Sequence, residues 1–164
     1  QLGAALASTG MVNMFCRENR GVKFNEIEKI NVQTKDIKQT IENLATISTQ
    51  EPDLVFVGCP HCSLNEIKQV AELIGSRKVK DGTEFWVCTS QHIKEKARKY
   101  VEKIEKSGGH VLTDTCAVVT WTDKLGIKTI MTNSAKTVHY APTLNKAETI
   151  LAPLKECLKT AFKG

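Results

Sequence analysis

Asp53-Leu54-Val55-Phe56-Val57-Gly58-Cys59-Pro60-His61-Cys62-Ser63-Leu64-Asn65-Glu66 is the stretch that decides the fold. The apolar run 54–57 reads as a buried strand. Gly58 ends it, and Cys59-Pro60-His61-Cys62 form a turn. Ser63 and Glu66 have the spacing of a capping box, in which the Ser oxygen takes the N3 amide and Glu66 reaches back to the N-cap amide. Leu64, Ile67, Val70, Ala71 and Ile74 follow at helical spacing, and Gly75 suits a C-terminal stop. Two thiols and an imidazole therefore lie between the carboxyl end of a strand and the amino end of a helix. Open α/β sheets bind ligands at that edge. The helix end offers free amides and a partial positive charge, which stabilise a thiolate. A Cys-Pro-His-Cys turn in this position points to function more than to simple burial.

The pattern around this unit is regular. Residues 3–15 are rich in small side chains and read as a packed helix. Its uncapped start suggests continuation from a longer chain. A polar break at 17–21 precedes a strand over 27–32. Thr34 caps a helix that turns Ile37, Ile41, Leu44 and Ala45 inward. Lys80-Asp81-Gly82 is a turn, and 84–89 is a strand. Ser90 caps the longest helix, whose Ile93, Ala97, Tyr100, Val101 and Ile104 keep one apolar stripe up to Gly108-Gly109. Short strands follow over 111–113 and 128–131, and a last one over 148–151. Pro153 opens a final helix at N1. Such alternation predicts a three-layer α/β/α domain with a mostly parallel sheet. The expected organisation is a helical leader over 1–26, continuing from an upstream part, and an α/β domain over 27–164.

With 164 residues, 41% of them apolar and 25% charged, the chain can bury a core without staples. It has no apolar run of membrane-spanning length and no signal-peptide pattern. Its six cysteines are therefore expected to be reduced, ligating or buried, in a cytoplasmic protein. The net charge of +5 comes from 19 Lys and 4 Arg. Lys94, Lys96, Lys99, Lys103 and Lys106 alternate with Glu95, Glu102 and Glu105, which reads as a solvated helix face. No Arg cluster or aromatic–basic interleaving suggests nucleic acid. An anionic small substrate or an acidic subunit remains compatible with the charge.

Three polar clusters each follow a strand: Cys59-Pro60-His61-Cys62-Ser63, Thr113-Asp114-Thr115-Cys116 and Thr132-Asn133-Ser134-Ala135-Lys136. Parallel strands would bring all three to one edge. Soft thiolates there select an iron–sulfur cluster or zinc. A cluster needs about four ligands, or three plus an open iron. Cys59 and Cys116 are two candidates and Cys62 a possible third; Cys16, Cys88 and Cys157 read as structural. Ser134 and Lys136 suit phosphate or carboxylate, with Ser63 and Asn133 as further polar contacts. His61 could orient a ligand or move a proton. His139-Tyr140-Ala141-Pro142 reads as a loop closing the pocket. Trp86 and Trp121 read as packing residues.

The chain resembles the large subunit of the aconitase X family, the group of archaeal phosphomevalonate dehydratase and bacterial hydroxyproline dehydratases. The resemblance rests on Leu2-Gly3-Ala4-Ala5-Leu6-Ala7-Ser8-Thr9-Gly10, Gly58-Cys59-Pro60-His61-Cys62-Ser63-Leu64, Asp114-Thr115-Cys116 and Thr132-Asn133-Ser134-Ala135-Lys136-Thr137-Val138-His139-Tyr140-Ala141-Pro142. It implies an aconitase-like fold around an iron or iron–sulfur centre, a 4Fe–4S cluster ahead of 2Fe–2S or mononuclear iron. It makes Cys59 and Cys116 the metal ligands, with Cys62 possible. His61, Ser134 and Lys136 become the catalytic candidates, and Ser63, Asn133, Ser134 and Lys136 the substrate-binding ones. The implied reaction is a dehydration of (R)-5-phosphomevalonate to trans-anhydromevalonate 5-phosphate, with hydroxyproline as the alternative substrate. The family's large subunit is longer, so a further cysteine ligand is expected upstream. The base is expected from a small swivelling subunit. The isolated chain is then expected to be inert.

A rival class is the thiol–disulfide oxidoreductase, in which Cys-Pro-His-Cys also joins a strand to a helix. It would need a reactive Cys59, a resolving Cys62 and a cis-proline before a later strand, for which Pro142 is the only candidate.

Overall fold

The computed structural model describes residues 2–12, 14, 30–44, 46 and 51–164. Strand β1 (Leu54–Val57) is buried along its whole length. A strand covered on both faces needs apolar residues throughout. Val55 and Val57 enter one core layer, Leu54 and Phe56 the other. β1 is the middle of a five-stranded sheet of order β3-β2-β1-β4-β5, with β2 at Glu84–Thr89, β3 at His110–Thr113, β4 at Thr129–Thr132 and β5 at Glu148–Leu151. Every pairing is parallel: Val55 lies opposite Phe85 and Met131, Val87 opposite Val111, and Met131 opposite Ile150. Asp53 fixes the start of β4, its Oδ2 accepting from the Lys128 and Thr129 amides at 2.8 and 2.9 Å.

One face is covered by α3 (Leu64–Ile74), by α5 (Arg98–Lys106) with the short α4 (Gln91–Lys96) ahead of it, and by α7 (Leu154–Ala161). The other is covered by α6 (Ala135–Asn145) and two 3-10 turns, Ala117–Val119 and Thr122–Leu125. α1 (Leu2–Thr9) and α2 (Thr34–Leu44) lie against α6. The three-layer α/β/α reading is the observed fold, and the described sheet is parallel throughout. The capping box forms: the Ser63 amide donates to Glu66 Oε2 at 2.8 Å, and the Glu66 amide donates to Ser63 Oγ. Ser90 caps α4 by accepting from the Ile93 amide.

Several expectations are corrected. The helix after Ser90 breaks at Ala97 (φ −92°, ψ 10°) into α4 and α5, although Ala97, Val101 and Ile104 stay on the buried stripe. Thr34 lies inside α2, and Asp36 Oδ2 takes the Gln33 amide at 2.8 Å, so the cap sits one residue earlier. No residue of α2 is buried; Ile37 and Ile41 are half open to solvent. The strand expected over 27–32 falls partly outside the described residues, and Ile30 and Val32 belong to no strand and are exposed. The leader helix ends at Thr9. The 26/27 boundary and Cys16 lie outside the described residues. Pro153 precedes α7 as its cap. His139-Tyr140-Ala141-Pro142 is not a loop: all four residues are in α6, which Ser134 caps by accepting from the Thr137 amide at 3.2 Å. No described helix is long and apolar enough to cross a membrane.

Candidate active site

The strand order places the reversal of the chain between β1 and β4. After β1 the chain moves towards β2 and β3; after β4 it moves to β5 on the opposite side. The two loops diverge and leave a crevice at the carboxyl ends of the strands, where such sheets bind ligands. A cleft of about 190 Å³ occupies this place, lined by Gly58, Cys59, Pro60 and Cys62 after β1, by Asn133 after β4, and by Glu66 and Leu154.

Gly58 lets the turn begin. It has φ +123°, and a Cβ there would lie 2.4 Å from the Cys88 carbonyl oxygen. The turn is thus pressed against β2. The Cys62 amide donates to the Cys88 carbonyl at 2.8 Å, and Thr89 Oγ1 donates to the Cys62 carbonyl at 2.6 Å. The Cys59–Pro60 peptide is cis.

The three strand-end clusters do meet in pairs. His61 Nε2 donates to the Thr115 carbonyl at 2.7 Å, bridging the first and second clusters across the end of β2. A carbonyl can only accept, so that bond puts a proton on Nε2, and Nδ1 is the nitrogen it leaves unused. Cys59 and Cys116 are both half-buried and pack on the core layer that contains Cys88. Asn133 brings the third cluster to the cleft.

The other candidates are placed differently. Ser134 is buried, its hydroxyl capping α6 and its amide donating to Thr132 Oγ1. Ser63 Oγ donates to Glu66 Oε2 at 2.7 Å, so its proton is engaged in the cap. Lys136 is half-buried and has no carboxylate partner among the described residues. Cys62 is buried in the opposite core layer from Cys59, and burial, with the Glu66 and Cys88 charges adding, pushes its thiol up to about 12. Such a thiol is a poor resolving nucleophile. Pro142 sits inside α6, so the cis-proline required by a thiol oxidant has no candidate.

Cys88 was missed as a neighbour of the site. Burial raises its thiol to about 12, and the two charges that add to the shift are Cys116 and Cys59. Its place on the same strand face as Trp86 follows from the period of two, but its lateral contact with Gly58 depends on strand order. Among the described residues, no three His, Cys, Asp or Glu side chains gather closely enough to hold a metal. The donor set for an iron centre is therefore partial: two accessible soft sulfurs at the ligand-binding edge, which fit iron and need further ligands from beyond them.

The sequence model of the aconitase X third domain matches residues 52–163. The chain is 42% identical to the phosphomevalonate dehydratase large subunit of Methanocaldococcus jannaschii, over 96% of this chain and 41% of that protein. It is 32% identical to the cis-3-hydroxy-L-proline dehydratase of Pseudomonas aeruginosa, over 68% of this chain and 20% of that protein. A crystal structure of Thermococcus kodakaraensis aconitase X in its holo form superposes with a TM-score of 0.76 at 29% identity, covering 88% of this chain and 37% of that one. The chain thus spans about two fifths of the large subunit it resembles in M. jannaschii, at 41% of its length. With this sheet order, this cleft and the match over residues 52–163, the chain belongs to the aconitase X family.

Proposed function

We propose that this domain is part of the large subunit of a cytoplasmic hydro-lyase that dehydrates (R)-5-phosphomevalonate to trans-anhydromevalonate 5-phosphate. The observation that carries this reading is the 42% identity over 96% of the chain to a phosphomevalonate dehydratase large subunit. Hydroxyproline dehydration is the second reading; its supporting relative is 32% identical over 68% of the chain.

Cys59 and Cys116 would hold the iron centre, which we take as a 4Fe–4S cluster completed by a ligand from an upstream part of the subunit. When bound, the centre supplies Lewis acidity to the departing hydroxyl. The domain's own residues do the rest of their work at the cleft. His61, held through Nε2 by the Thr115 carbonyl, keeps Nδ1 free to take or give a proton. Asn133 offers an amide to an anionic group in the cleft. Lys136, without a carboxylate partner among the described residues, supplies a charge for phosphate near the amino end of α6. Ser134 and Ser63 act chiefly by fixing the two helix starts that frame the crevice. The base that removes the substrate proton comes from the small subunit, so the isolated domain is inert.

The test supplies the upstream part and the small subunit to this chain with iron and sulfide under anaerobic conditions. Phosphomevalonate turnover is followed by phosphorus NMR. Conversion by the assembly, with none by the chain alone, is the expected result. Turnover of cis-3-hydroxyproline instead would select the second reading, and turnover by the chain alone would overturn the partition of roles.

A further inference from the structure

Thr115 and Cys116 are tied together through a third residue, Thr120. Thr120 Oγ1 lies 2.7 Å from the Cys116 carbonyl and 3.1 Å from Thr115 Oγ1. A carbonyl only accepts and a hydroxyl has one proton, so the Thr120 proton goes to Cys116. The second bond is then donated by Thr115. The order is Thr115 hydroxyl to Thr120 hydroxyl to Cys116 carbonyl, among three half-buried residues. The Cys116 carbonyl also accepts from the Val119 amide at 3.1 Å. Ala117 and Val118 anchor the turn by burial. Trp121, expected to pack, is 70% exposed, so its indole is not what holds Thr120 in place.

A threonine hydroxyl bonded to the carbonyl four residues back is a common local motif. Here the same oxygen also takes the Thr115 proton, and that links the motif to the site. One peptide group joins Thr115 to Cys116, and both of its flanks are held by Thr120. The carbonyl of that peptide is the acceptor of His61 Nε2, at 2.7 Å. His61 is exposed and comes from a different loop, after β1, so little packing orients its ring. The direction in which Nδ1 points is therefore set by where the Thr115 carbonyl stands. Thr120 does not line the cleft, so any part it has in the chemistry passes through these two residues. We propose that Thr120 is a positioning residue for the dehydration, placing the Thr115 carbonyl that orients His61. This inference rests on the dehydratase reading.

The test uses Thr120→Val, which keeps the shape and removes the hydroxyl, and Thr120→Ser, which keeps the hydroxyl. The full chain, free of iron, is labelled with nitrogen-15 histidine. Its four histidines are few enough for His61 to be assigned with His61→Gln. Ring-nitrogen shifts at alkaline pH, where an imidazole is neutral, report which nitrogen carries the proton. The parent and Thr120→Ser should show one His61 tautomer, with the proton on Nε2. In Thr120→Val both nitrogens should move towards the averaged shifts of an unheld histidine. With the upstream part, small subunit and iron supplied, Thr120→Val should lower kcat per bound iron by about ten- to a hundredfold. KM should change little, and Thr120→Ser should retain the parental rate. A Thr120→Val chain that keeps the tautomer, or loses it and turns over at the parental rate, would overturn the positioning role and leave the dehydratase reading intact. So would failure of a folded Thr120→Ser chain to retain tautomer and rate. A parent assembly that dehydrates neither phosphomevalonate nor hydroxyproline would overturn the dehydratase reading instead, while the tautomer series still decides whether Thr120 holds His61. A parent chain whose His61 already averages both tautomers would overturn the proposal with no variant, so the test decides even if Thr120→Val folds poorly.

Discussion

Gly58→Ala is the sharpest perturbation of the framework that carries the site. A Cβ at this position would lie 2.4 Å from the Cys88 oxygen, 2.7 Å from its nitrogen and 3.0 Å from its carbonyl carbon. These are backbone atoms of an inner strand paired on both sides, so no flexible side chain can move away. The backbone at φ +123° adds a second penalty. Holding a non-glycine residue in such a region costs about 1–3 kcal/mol. Overpacking against a fixed neighbour costs about the same, 1–3 kcal/mol. Together they remove about 4 kcal/mol, a large part of the roughly 5–15 kcal/mol that stabilises a domain. The midpoint of thermal unfolding should fall by about 10 °C. Urea unfolding followed by far-UV circular dichroism measures the change. A Gly58→Ala chain within about 0.5 kcal/mol of the parent would refute the argument that β2 presses on this turn.

Three further outcomes follow from the same geometry. Asp53→Ala leaves the Lys128 and Thr129 amides without their acceptor and should cost about 1–3 kcal/mol in urea unfolding, whereas Asp53→Asn should recover part of it. Ser63→Ala removes the capping box of α3 and should cost about 1 kcal/mol, and Ser63→Asp should retain most of that stability. Cys157 is raised by burial from its ordinary 9.0 to about 12, so the folded state holds its proton longer than the unfolded one. Its contribution is full below pH 9.0 and is lost as pH rises towards about 12; in Cys157→Ala the alkaline fall in urea midpoint should be shallower.

β1 and α3 are legible because each local signal agrees with the next: four apolar residues, a glycine, then Ser63 and Glu66 at capping distance. β2 and β5 come out with their observed bounds for a similar reason, strong apolar runs next to clear turns. α6 was hidden by its own composition. Thr137, Asn145 and Pro142 carry little helical signal, and Ser134, read as a site residue, also caps α6 by accepting from the Thr137 amide. The spacing of Ser134 to Thr137, with Val138 and Ala141 behind it, was the available clue. The break at Ala97 has no glycine or proline to announce it. α2 shows the opposite failure: Ile37 and Ile41 make a good amphipathic stripe, but it stays half open to solvent although α2 lies against α6.

At the site, sequence order was enough to predict that polar strand ends share an edge, because parallel strands force it. Which ends become neighbours depends on the strand order, and that is a tertiary property. The order puts Asn133 beside Cys59, and it puts Cys88 under Cys59 and Cys116. Cys62 followed Cys59 closely enough in sequence to look like its partner, yet the turn sends it to the other core layer. The exposed Trp121 was unreadable for the same kind of reason, since residue type favours burial and only the left-handed turn at the end of the Cys116 segment holds it outward.

The decisive measurement is an anaerobic assay of iron and acid-labile sulfide on the complete assembly, made with the parent chain, Cys59→Ala, Cys116→Ala and Cys157→Ala. Iron and sulfide present in the parent and in Cys157→Ala, and lost in both Cys59→Ala and Cys116→Ala, is the predicted result. Full iron retention in either of those two variants, with the assembly intact, would contradict the assignment of Cys59 and Cys116 as ligands of the metal centre.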